Sequence, residues 1–401
     1  MHVATNARGL YRVCCNSTPV DNIILDNDGN QLKLSKHPIG SIWNTDYMKS
    51  LRKEMLIGIE PKICKRCFQE EKNGIESARQ GYNEEYSHLI PSVLNNSSSD
   101  GSARVYVGYM DLRLGNLCNL KCVMCNPYAS NQWLDEWSLI NKKLSDYDSK
   151  MLRNMNWFDD NVFIEHLTPY LNTTEMIYLT GGEPTLAKSQ YALLDKCIDL
   201  NISKNITLKY NTNLTNIPNR LLEYWGEFKQ IKLNVSIDAY GELNDYIRFP
   251  SKWKIIDLNL KQLDFLAQDK NWKINVHCTV QMYNILHLTT LFDYLQSFDN
   301  VRSFPYLNIL DHPEYLNSKV LPPHLKNQAT ELLENWREKN QNYYTKEEDL
   351  ESLSKIDGVI KYMHYEDWSN LFEEFKLKTQ ILDVSRNLNA ITMNPEFKDY
   401  F

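Results

Sequence analysis

Three cysteines follow an apolar, strand-like run in the first third of the chain, in the spacing C-x3-C-x2-C. They are Cys118, Cys122 and Cys125, within the segment MDLRLGNLCNLKCVMCNPYASNQW. Cysteine thiolates are the usual protein ligands of iron–sulfur clusters. Three of them can hold three irons of a [4Fe–4S] cluster, which leaves the fourth iron without a protein ligand. Because an open coordination position marks a catalytic rather than a structural metal site, the chain is expected to fold around a catalytic cluster.

The length and charge of the chain limit the classes of protein to consider. With 401 residues the chain is long enough for two or three domains. The net charge of −7 gives no reason to expect a nucleic-acid partner, because such binders carry a basic patch or stripe. No apolar run approaches the roughly 18 residues of a membrane span, and the first residues lack the apolar region of a signal peptide. We therefore expect a cytoplasmic protein without membrane contact, whose clustered cysteines serve metal or redox chemistry.

The central part of the chain alternates strand-like and helical segments. Strands separated by helical segments imply right-handed βαβ crossovers and a parallel sheet. The six predicted strands are Val105–Arg113, Met176–Thr180, Ile206–Asn211, Ile231–Ile237, Ile274–Gln281 and Val301–Asn308.

Polar and apolar residues alternate within these strands. The polar positions include Asn234 and Ser236 in one strand and His277 and Thr279 in another. Parallel strands buried on both faces are usually apolar throughout, and a filled barrel carries bulky apolar residues inside. The alternation favours an α/β fold in which an open, partial (β/α)6 TIM-like barrel curves around a wet cavity for a ligand. His277 lies on the cavity side, where contact with a substrate and a purely structural role are equal alternatives.

Changes in composition predict the domain boundaries. Residues 93–103 belong to a stretch rich in Ser, Asn, Gly and Pro, which is typical of a linker. A small cysteine-rich domain is therefore expected at 1–92, the barrel at 104–310 and a mainly helical extension at 311–401. The helices of the extension are expected to cover the core rather than form a separate active module.

Four further cysteines lie in the first domain: Cys14, Cys15, Cys64 and Cys67. Cysteines from two places in the chain can hold a second metal site. Zinc bound by four cysteines and a complete [4Fe–4S] cluster have the same ligand count, so the spacing leaves both open. Adjacent cysteines are awkward as joint ligands, which makes one of Cys14 and Cys15 a candidate bystander. The isolated cysteines, Cys197 and Cys278, are expected in the core.

A glycine-rich turn, Thr180-Gly181-Gly182-Glu183-Pro184, ends the second predicted strand. Active sites of parallel α/β folds gather at the carboxyl ends of the strands. Two glycines allow the backbone to approach a ligand closely, and the carboxylate beside them can accept an ammonium group. Since the cysteine trio follows the preceding strand, the turn is expected to belong to the same active site.

The cysteine trio followed by this turn resembles the radical S-adenosylmethionine (SAM) superfamily, over roughly Val105 to Leu310. The resemblance implies a [4Fe–4S] cluster whose fourth iron is chelated by the amino and carboxylate groups of SAM. It also implies reductive cleavage of SAM to a 5′-deoxyadenosyl radical that abstracts hydrogen from a substrate. An external electron donor such as flavodoxin or ferredoxin is implied as well.

Two questions of function stay open at this point. A peptide or protein side chain is the first substrate class, and a sugar, nucleotide or other small metabolite is the alternative. A non-catalytic iron–sulfur or zinc-binding interaction protein is the third hypothesis, and it does not account for the glycine-rich turn.

The resemblance also assigns cofactor contacts to individual residues. Gly181, Gly182 and Glu183 are assigned to the methionine amino group, and Arg248 is assigned to the carboxylate. Ser236 and Asp238 are assigned to the ribose. Asn211 and Asn213 are expected to face the cofactor, and Val280 and Gln281 to lie near the adenine. Met124 stands before the third cysteine, where relatives usually carry an aromatic residue. Methionine is apolar and adaptable, so it can still pack against the adenine.

The first domain is similar to the twitch half of a SPASM domain. The similarity rests on the paired cysteines, the helical segment WNTDYMKSLRKEML with Asn44 or Thr45 as N-cap, the C-x2-C pair, and then Glu70, Gly74, Ser77 and Arg79. Such domains bind an auxiliary [4Fe–4S] cluster, so the resemblance favours iron–sulfur over zinc for Cys14, Cys15, Cys64 and Cys67. They usually follow the radical core, whereas this one precedes it.

Overall fold

The computed structural model describes residues 2–17, 22–72, 76–344 and 347–401. In this part of the chain, eight strands form a mostly parallel sheet, which gives an α/β fold. The strands are β1 (His2–Thr5), β2 (Tyr11–Arg12), β3 (Tyr109–Leu114), β4 (Met176–Gly181), β5 (Thr207–Thr212), β6 (Gln230–Ser236), β7 (Trp272–Val280) and β8 (Tyr306–Ile309).

The helices lie before and between the strands and after the last of them. Those before β6 are α1 (Ile39–Trp43), α2 (Asp46–Leu56), α3 (Lys65–Lys72), α4 (Ala78–Glu85), α5 (Ile90–Asn95), α6 (Trp137–Ile140), α7 (Asp146–Arg153), α8 (Val162–Leu167), α9 (Ser189–Asp199) and α10 (Asn219–Gly226). Those after β6 are α11 (Glu242–Ile247), α12 (Trp253–Ala267), α13 (Leu288–Leu295), α14 (Pro323–Asn340), α15 (Glu347–Tyr365), α16 (Phe372–Arg386) and α17 (Ala390–Met393). Within the described ranges, none of these helices combines the length and apolarity needed to cross a membrane.

The chain divides into two compact units, which are described separately. Unit 1 takes the described residues of Met1–Leu117, Asn154–Tyr210 and Glu223–Lys229. Unit 2 takes Cys118–Arg153, Asn211–Leu222 and those of Gln230–Phe401.

In unit 1 the N-terminal strands extend the sheet. Strand β1 pairs in parallel with β3, with His2 opposite Tyr109, and β2 pairs antiparallel with β1. Strand β3 in turn pairs in parallel with β4, and β4 with β5. The prediction of six strands is therefore two strands short. Both additional strands are very short. The sequence indicates a short strand at LYRVCC, which contains β2, whereas β1 is revealed only by its pairing with β3.

The segment predicted as a linker is packed against helix α2 in unit 1. Asn44 exchanges two hydrogen bonds of 3.0 Å with the backbone of Ala103, and Arg52 donates to the carbonyl of Gly101. A Cβ on Gly101 would lie 2.2 Å from the carbonyl oxygen of Lys49. The small and polar residues here serve turns and close packing. The boundaries at residues 92, 103 and 310 stay predictions.

In unit 2 strands β6, β7 and β8 are parallel neighbours, with Ser236 opposite His277 and His277 opposite Tyr306. The predicted alternation is confirmed in β7, where every second residue from Trp272 to Val280 is buried. The residues between them, including Asn275 and His277, are partly or fully accessible.

Apolar residues on the other face of the strands meet the helices. Helix α12 buries Ile256, Leu260, Leu263 and Ala267, which recur every three or four residues and so form one face. Cys278 lies in the core of this unit with no exposed surface, and Cys197 is equally buried in unit 1, as predicted for both. After β8 the chain is mainly helical through α14, α15, α16 and α17, as the composition predicts.

Candidate functional site

The three central cysteines lie on one loop of unit 2, residues 118–136, called here the cluster loop. Cys118 and Cys122 are buried and Cys125 is partly buried. The loop is held by its own hydrogen bonds. The backbone N–H of Cys118 donates to Asn131 Oδ1 at 3.2 Å, and Trp133 Nε1 donates to the carbonyl of Cys122 at 3.0 Å.

N–H donors from distant parts of unit 2 point at the sulfur atoms of this loop. Asn213 Nδ2 lies 3.9 Å from Cys118 Sγ, and Arg248 Nη1 lies 4.0 Å from Cys122 Sγ. The backbone N–H of Leu120 also donates to Cys118 Sγ, at 3.4 Å. Donors and a cation around sulfur favour the thiolate, which is the form that binds metal.

Cys122 and Cys125 share a hydrogen bond between their side chains. This bond lowers the pKa of Cys122 against the opposing effect of burial, and the nearby Arg248 lowers it further. The same bond raises the pKa of Cys125 well above its ordinary value, and burial raises it further. Of these two cysteines, Cys122 is therefore the one that more readily becomes a thiolate.

Two backbone hydrogen bonds bring Arg248 to the cluster loop. Lys121 donates to the carbonyl of Phe249 at 2.7 Å, and Val123 donates to the carbonyl of Ile247 at 2.9 Å. The peptide segment on both sides of Cys122 therefore runs beside the segment that carries the arginine.

Arg248 also forms a buried ion pair with Asp238. Nε lies 2.8 Å from Asp238 Oδ2, and the aspartate side chain has 0% exposure. Burial lowers the pKa of Arg248, but Asp238, Cys122 and Cys125 together outweigh burial and raise the pKa above its ordinary value. The backbone N–H of Thr279 donates to Asp238 Oδ1 at 2.7 Å. The two residues assigned to different parts of SAM thus bind each other.

The remaining predicted contact residues of unit 2 fall into three environments. Asn213 donates to Asn119 Oδ1 at 3.0 Å, so it belongs to the cluster loop surroundings. Asn211 is exposed and accepts a hydrogen bond of 2.9 Å from Asn234. Ser236 is partly buried.

Val280 and Gln281 are both fully buried at the end of β7. The side chain of Val280 is on the apolar face of the strand, so a ligand could reach only its backbone. Gln281 donates through Nε2 to the carbonyl of Thr279 at 3.4 Å, while its Oε1 has no hydrogen-bond partner. A cavity of about 190 Å³ lies elsewhere in unit 2, beside Met124 and Cys125.

The glycine-rich turn lies in unit 1, at the end of β4. Gly181 has a φ of +152°, and a Cβ there would lie 2.7 Å from the carbonyl oxygen of Leu114. A Cβ on Gly182 would lie 2.3 Å from the carbonyl oxygen of Leu117. Both glycines are therefore required by a close approach to the end of β3 and the chain that follows it, a reason the sequence alone did not provide.

Glu183 is almost fully buried in this turn, with 1% of its surface exposed. Its backbone N–H donates to the carbonyl of Leu117 at 2.7 Å. Its carboxylate accepts from the backbone N–H and the hydroxyl of Thr185, at 3.2 and 2.8 Å. These bonds fix the direction of the carboxylate at the end of the strand.

The four N-terminal cysteines separate into three and one. The pKa of Cys64 is raised to about 11 by burial and then by the negative charges of Cys14 and Cys67, which places these three thiols near one another. The charge of Arg79 opposes this rise. Cys15 instead forms a hydrogen bond with the carboxylate of Asp111. The structure thus favours Cys15 as the bystander of the adjacent pair.

Residues of the twitch-like motif have local structural roles in unit 1. Ser77 and Gln80 form a capping box at the start of α4. Arg79 Nε donates to Glu71 Oε1 at 2.9 Å. Thr45 is the N-cap of α2, which confirms one of the two predicted alternatives, Asn44 or Thr45. Gly74 lies outside the described residues.

The chemistry of the trio fits the [4Fe–4S] cluster that the resemblance implies. Within the described part of the chain, no three His, Cys, Asp or Glu side chains converge as the ligands of one metal ion would. A [4Fe–4S] cluster does not need such convergence, because each of its cysteines binds a different iron. Three cysteines with N–H donors at two of the sulfur atoms are a suitable donor set for a cluster.

Sequence reasoning missed a buried ion pair at the end of the cluster loop and a partner of Asp238. Glu136 and Arg386 form a buried ion pair within unit 2, although 250 residues separate them in the chain. Asn244, which accepts a hydrogen bond from the backbone of Asp238, was missed as well. The contact between Glu136 and Arg386 has no local signal in the sequence, because it depends on which distant segments meet. The contact of Asn244 with Asp238 spans only six positions, but no sequence motif marks it.

Comparisons with known proteins agree with the resemblance of the cysteine motif. A family model described as "Radical SAM superfamily" matches residues 112–263, so this part of the chain is a Radical SAM superfamily domain. No curated protein matches the chain.

Several solved structures are similar to the chain. One is native anSMEcpe with bound AdoMet and a Cp18Cys peptide, at 17% identity and a TM-score of 0.38, covering 59% of this chain and 62% of that one. Another is SuiB of Streptococcus suis bound to S-adenosylmethionine, at 14% identity and a TM-score of 0.34, covering 59% and 46%. SuiB bound to its precursor peptide SuiA has 18% identity and a TM-score of 0.29, covering 62% and 49%. This chain therefore spans less than two thirds of the length of these proteins.

Proposed function

We propose that this chain, with its Radical SAM superfamily domain, is a radical SAM enzyme that modifies a peptide or protein side chain. The observation that carries the proposal is the setting of Cys118, Cys122 and Cys125. They share one loop, and donors from Asn213 and Arg248 lie 3.9 and 4.0 Å from two of their sulfur atoms.

The bound groups supply the redox chemistry in this proposal. A [4Fe–4S] cluster held by Cys118, Cys122 and Cys125 would supply, when reduced, the one electron for cleavage of SAM to a 5′-deoxyadenosyl radical, which would abstract hydrogen from the substrate. The protein binds, orients and shields these groups. An external donor such as flavodoxin or ferredoxin would return the electron.

Arg248 is proposed to receive the carboxylate of SAM. A guanidinium has five N–H donors on three nitrogens. Asp238 engages Nε, and Nη1 lies near Cys122, so the planar group is fixed at the edge of the cluster loop. Asp238 is therefore proposed to orient Arg248, a different role from the ribose contact that the resemblance assigned to it.

The other contacts are proposed along the ends of the strands. Ser236, which is partly buried, is the remaining candidate for the ribose. Gly181, Gly182 and Glu183 are proposed to receive the amino group. Asn211 and Asn213 are proposed to face the cofactor, and Val280 and Gln281 to lie near the adenine. Met124 is also proposed to pack on the adenine, because it lines the 190 Å³ cavity with the apolar side chains of Trp137 and Ile140.

An auxiliary [4Fe–4S] cluster is proposed in unit 1. Cys14, Cys64 and Cys67 lie near one another there, with Arg79 beside the last two. The bound cluster would carry electrons to or from the substrate or a partner. A similarity to twitch and SPASM domains supports this site.

A peptide substrate is supported by the neutral hydrogen-bonding groups of β7 and β8. Asn275, His277 and Thr279 lie on one face of β7, and Tyr306 and Asn308 lie on the same face of β8. Amides, hydroxyls and an imidazole can both donate to and accept from peptide groups. The resemblance to SPASM and twitch enzymes supports the same class, whereas dehydrogenating twitch enzymes are the basis of the alternative. A sugar or nucleotide is the alternative substrate.

The proposal is tested by anaerobic reconstitution with iron and sulfide, reduction with dithionite and assay of 5′-deoxyadenosine. The wild-type protein is expected to release it, and Cys122→Ala is expected not to. Cys197→Ala is the matched control, because Cys197 is buried in helix α9 of unit 1 and is not a proposed ligand. No release by the reconstituted wild type under any reducing condition would contradict the proposal and favour a non-catalytic binding protein.

A further inference from the structure

The C-terminal helix α16 reaches the cluster loop through its last residue, Arg386. Arg386 Nη2 lies 3.0 Å from Glu136 Oε2 and Nε lies 3.1 Å from Oε1, so the arginine binds the carboxylate in a bidentate manner. The side chains are 1% and 4% exposed. Glu136 is the last residue of the cluster loop, and the contact therefore joins two distant parts of the chain in a buried place.

The carboxylate of Glu136 is shared with a second cation from the same loop. Lys121 Nζ lies 3.0 Å from Glu136 Oε2, and Lys121 directly precedes Cys122. The hydroxyl of Ser385 also donates to Glu136 Oε1, at 2.7 Å. Two cations and one anion leave one net positive charge next to Cys122.

Arg386 also touches the groups that hold the backbone around Cys122. Its guanidinium carbon lies 4.9 Å from the ring centre of Trp133 and 5.1 Å from that of Phe249. Trp133 donates to the carbonyl of Cys122, and the carbonyl of Phe249 accepts from Lys121. Each aromatic residue is thus bonded to the backbone of the cluster loop, at Cys122 or beside it.

A buried ion pair of this kind is weak evidence for stability. The cost of removing both charges from water often cancels their attraction, and apolar residues of similar size can do as well. Arg386 even leaves Nη1 buried with no hydrogen-bond partner. Since burying this arginine costs free energy, its presence is better explained by the effect of its planar shape and its charge on the neighbouring Cys122.

We propose that Arg386 is a positioning residue for the cluster site: through Glu136, Trp133 and Phe249 it fixes the backbone at Cys122, and together with Lys121 it leaves a net positive charge next to that residue. The expected effect on a bound cluster rests on the proposed function, whereas the effect on the loop does not. Helix α16 is then part of the site rather than a cover over the core.

The charge has a predictable effect on reduction of the cluster. Reduction adds negative charge, and the net charge around a cluster is one of the factors that set its potential. Arg386→Gln removes a cation and leaves the Glu136 carboxylate with Lys121 alone. We expect a lower midpoint potential, by about 59 mV if the equilibrium constant for one-electron reduction falls tenfold. The double variant Glu136→Gln/Arg386→Gln removes one charge of each sign, so its potential is expected to return towards the wild-type value.

The cluster-free protein gives a separate test of the loop. Hydrogen exchange of residues 118–136 is expected to be at least several-fold faster in Arg386→Gln than in the wild type. Arg337→Gln is the matched control, because it removes an arginine–aspartate pair with Asp357, between α14 and α15. Exchange of the loop is expected to be unchanged in this control.

Arg386→Lys separates shape from charge and remains useful if the glutamine variant fails to fold. Lysine keeps the charge but has no planar guanidinium, so it cannot form the bidentate contact with the carboxylate. We expect faster exchange of the loop with a nearly wild-type potential. Loop exchange in Arg386→Gln that matches the wild type, or an unchanged potential in its reconstituted form, would overturn the proposal. Failure of the wild type to take up iron would instead contradict the proposed function, and the exchange test would still apply.

Discussion

The guanidinium of Arg248 lies between a carboxylate and a sulfur atom, and this position connects two predicted site residues. Asp238 is fully buried and holds Nε at 2.8 Å, while Nη1 lies 4.0 Å from Cys122 Sγ. An arginine fixed in this way loses little conformational freedom when it binds an anion, which favours tight binding. The aspartate acts through the arginine, so its removal should affect both folding and ligand binding.

Asp238→Asn is expected to destabilise the protein and weaken SAM binding. The substitution leaves Arg248 buried without its counter-charge, which typically costs about 3–5 kcal/mol. The free energy of unfolding in urea and SAM binding to the reconstituted protein measure the two effects. The control is Glu374→Gln, which removes the exposed partner of a helical i,i+4 pair with Lys378 and should cost about 0.3–0.5 kcal/mol. Equal effects of the two substitutions would contradict the positioning role of Asp238.

Cys14 and Cys15 are adjacent but are expected to respond differently to substitution. Cys14 lies near Cys64 and Cys67, whereas Cys15 bonds Asp111. Cys14→Ser should therefore lower the iron content of the reconstituted protein, and Cys15→Ser should leave it unchanged. Iron and acid-labile sulfide per chain are the measurements. If both variants lose the same amount of iron, Cys15 is a ligand as well, and its contact with Asp111 does not persist in the loaded protein.

Residues with a local signature could be predicted, and residues defined by a distant partner could not. The trio Cys118, Cys122 and Cys125 was predicted because its spacing alone places three thiolates on one loop. The contact of Arg386 with Glu136 joins residues 250 positions apart. An arginine at the end of an amphipathic helix looks like many others, so nothing in its neighbourhood indicates a buried partner.

At the scale of elements, the strands between 105 and 310 were predicted to within a few residues except at the start of the first and last. Alternating polar and apolar residues identify such strands because their two faces meet different surroundings. Strand β1 has four residues and β2 two, too few for a pattern to appear. Their place in the sheet depends on pairing with β3, over a hundred residues away.

The glycine-rich turn at the end of β4 offers a test of an element rather than of a ligand. A Cβ on Gly182 would lie 2.3 Å from the carbonyl oxygen of Leu117, so the backbone of the turn or of the facing chain must move. Gly182→Ala is expected to lower the free energy of unfolding by about 1–3 kcal/mol, the usual cost of overpacking. Chemical denaturation of the cluster-free protein measures it.

The control for this prediction is a glycine with free space around it. Gly358 lies inside helix α15, and a Cβ there meets nothing within 4 Å. Gly358→Ala is expected to stabilise the protein by about 1 kcal/mol, because alanine favours the helix. A Gly182→Ala variant as stable as the wild type would show that the close approach to Leu117 is not required.

At the scale of the whole molecule, the question is how many clusters one chain holds. The cysteines proposed as metal ligands fall into two sets, one in each unit. Cys118, Cys122 and Cys125 belong to unit 2, and Cys14, Cys64 and Cys67 belong to unit 1. Each set has three close cysteines, so each is expected to load independently of the other, with a non-cysteine group completing it.

Two [4Fe–4S] clusters correspond to about eight irons per chain, and the two sets can be removed separately. Cys64→Ala/Cys67→Ala is expected to retain about four irons and to release 5′-deoxyadenosine from SAM after dithionite reduction, because the chemical reductant reaches the remaining cluster directly. Cys118→Ala/Cys122→Ala is expected to retain about four irons as well but to release none. Metal analysis and the 5′-deoxyadenosine assay on the same samples give both values. Zinc in the second set, or loss of all iron from either variant, would contradict two independent iron–sulfur sites.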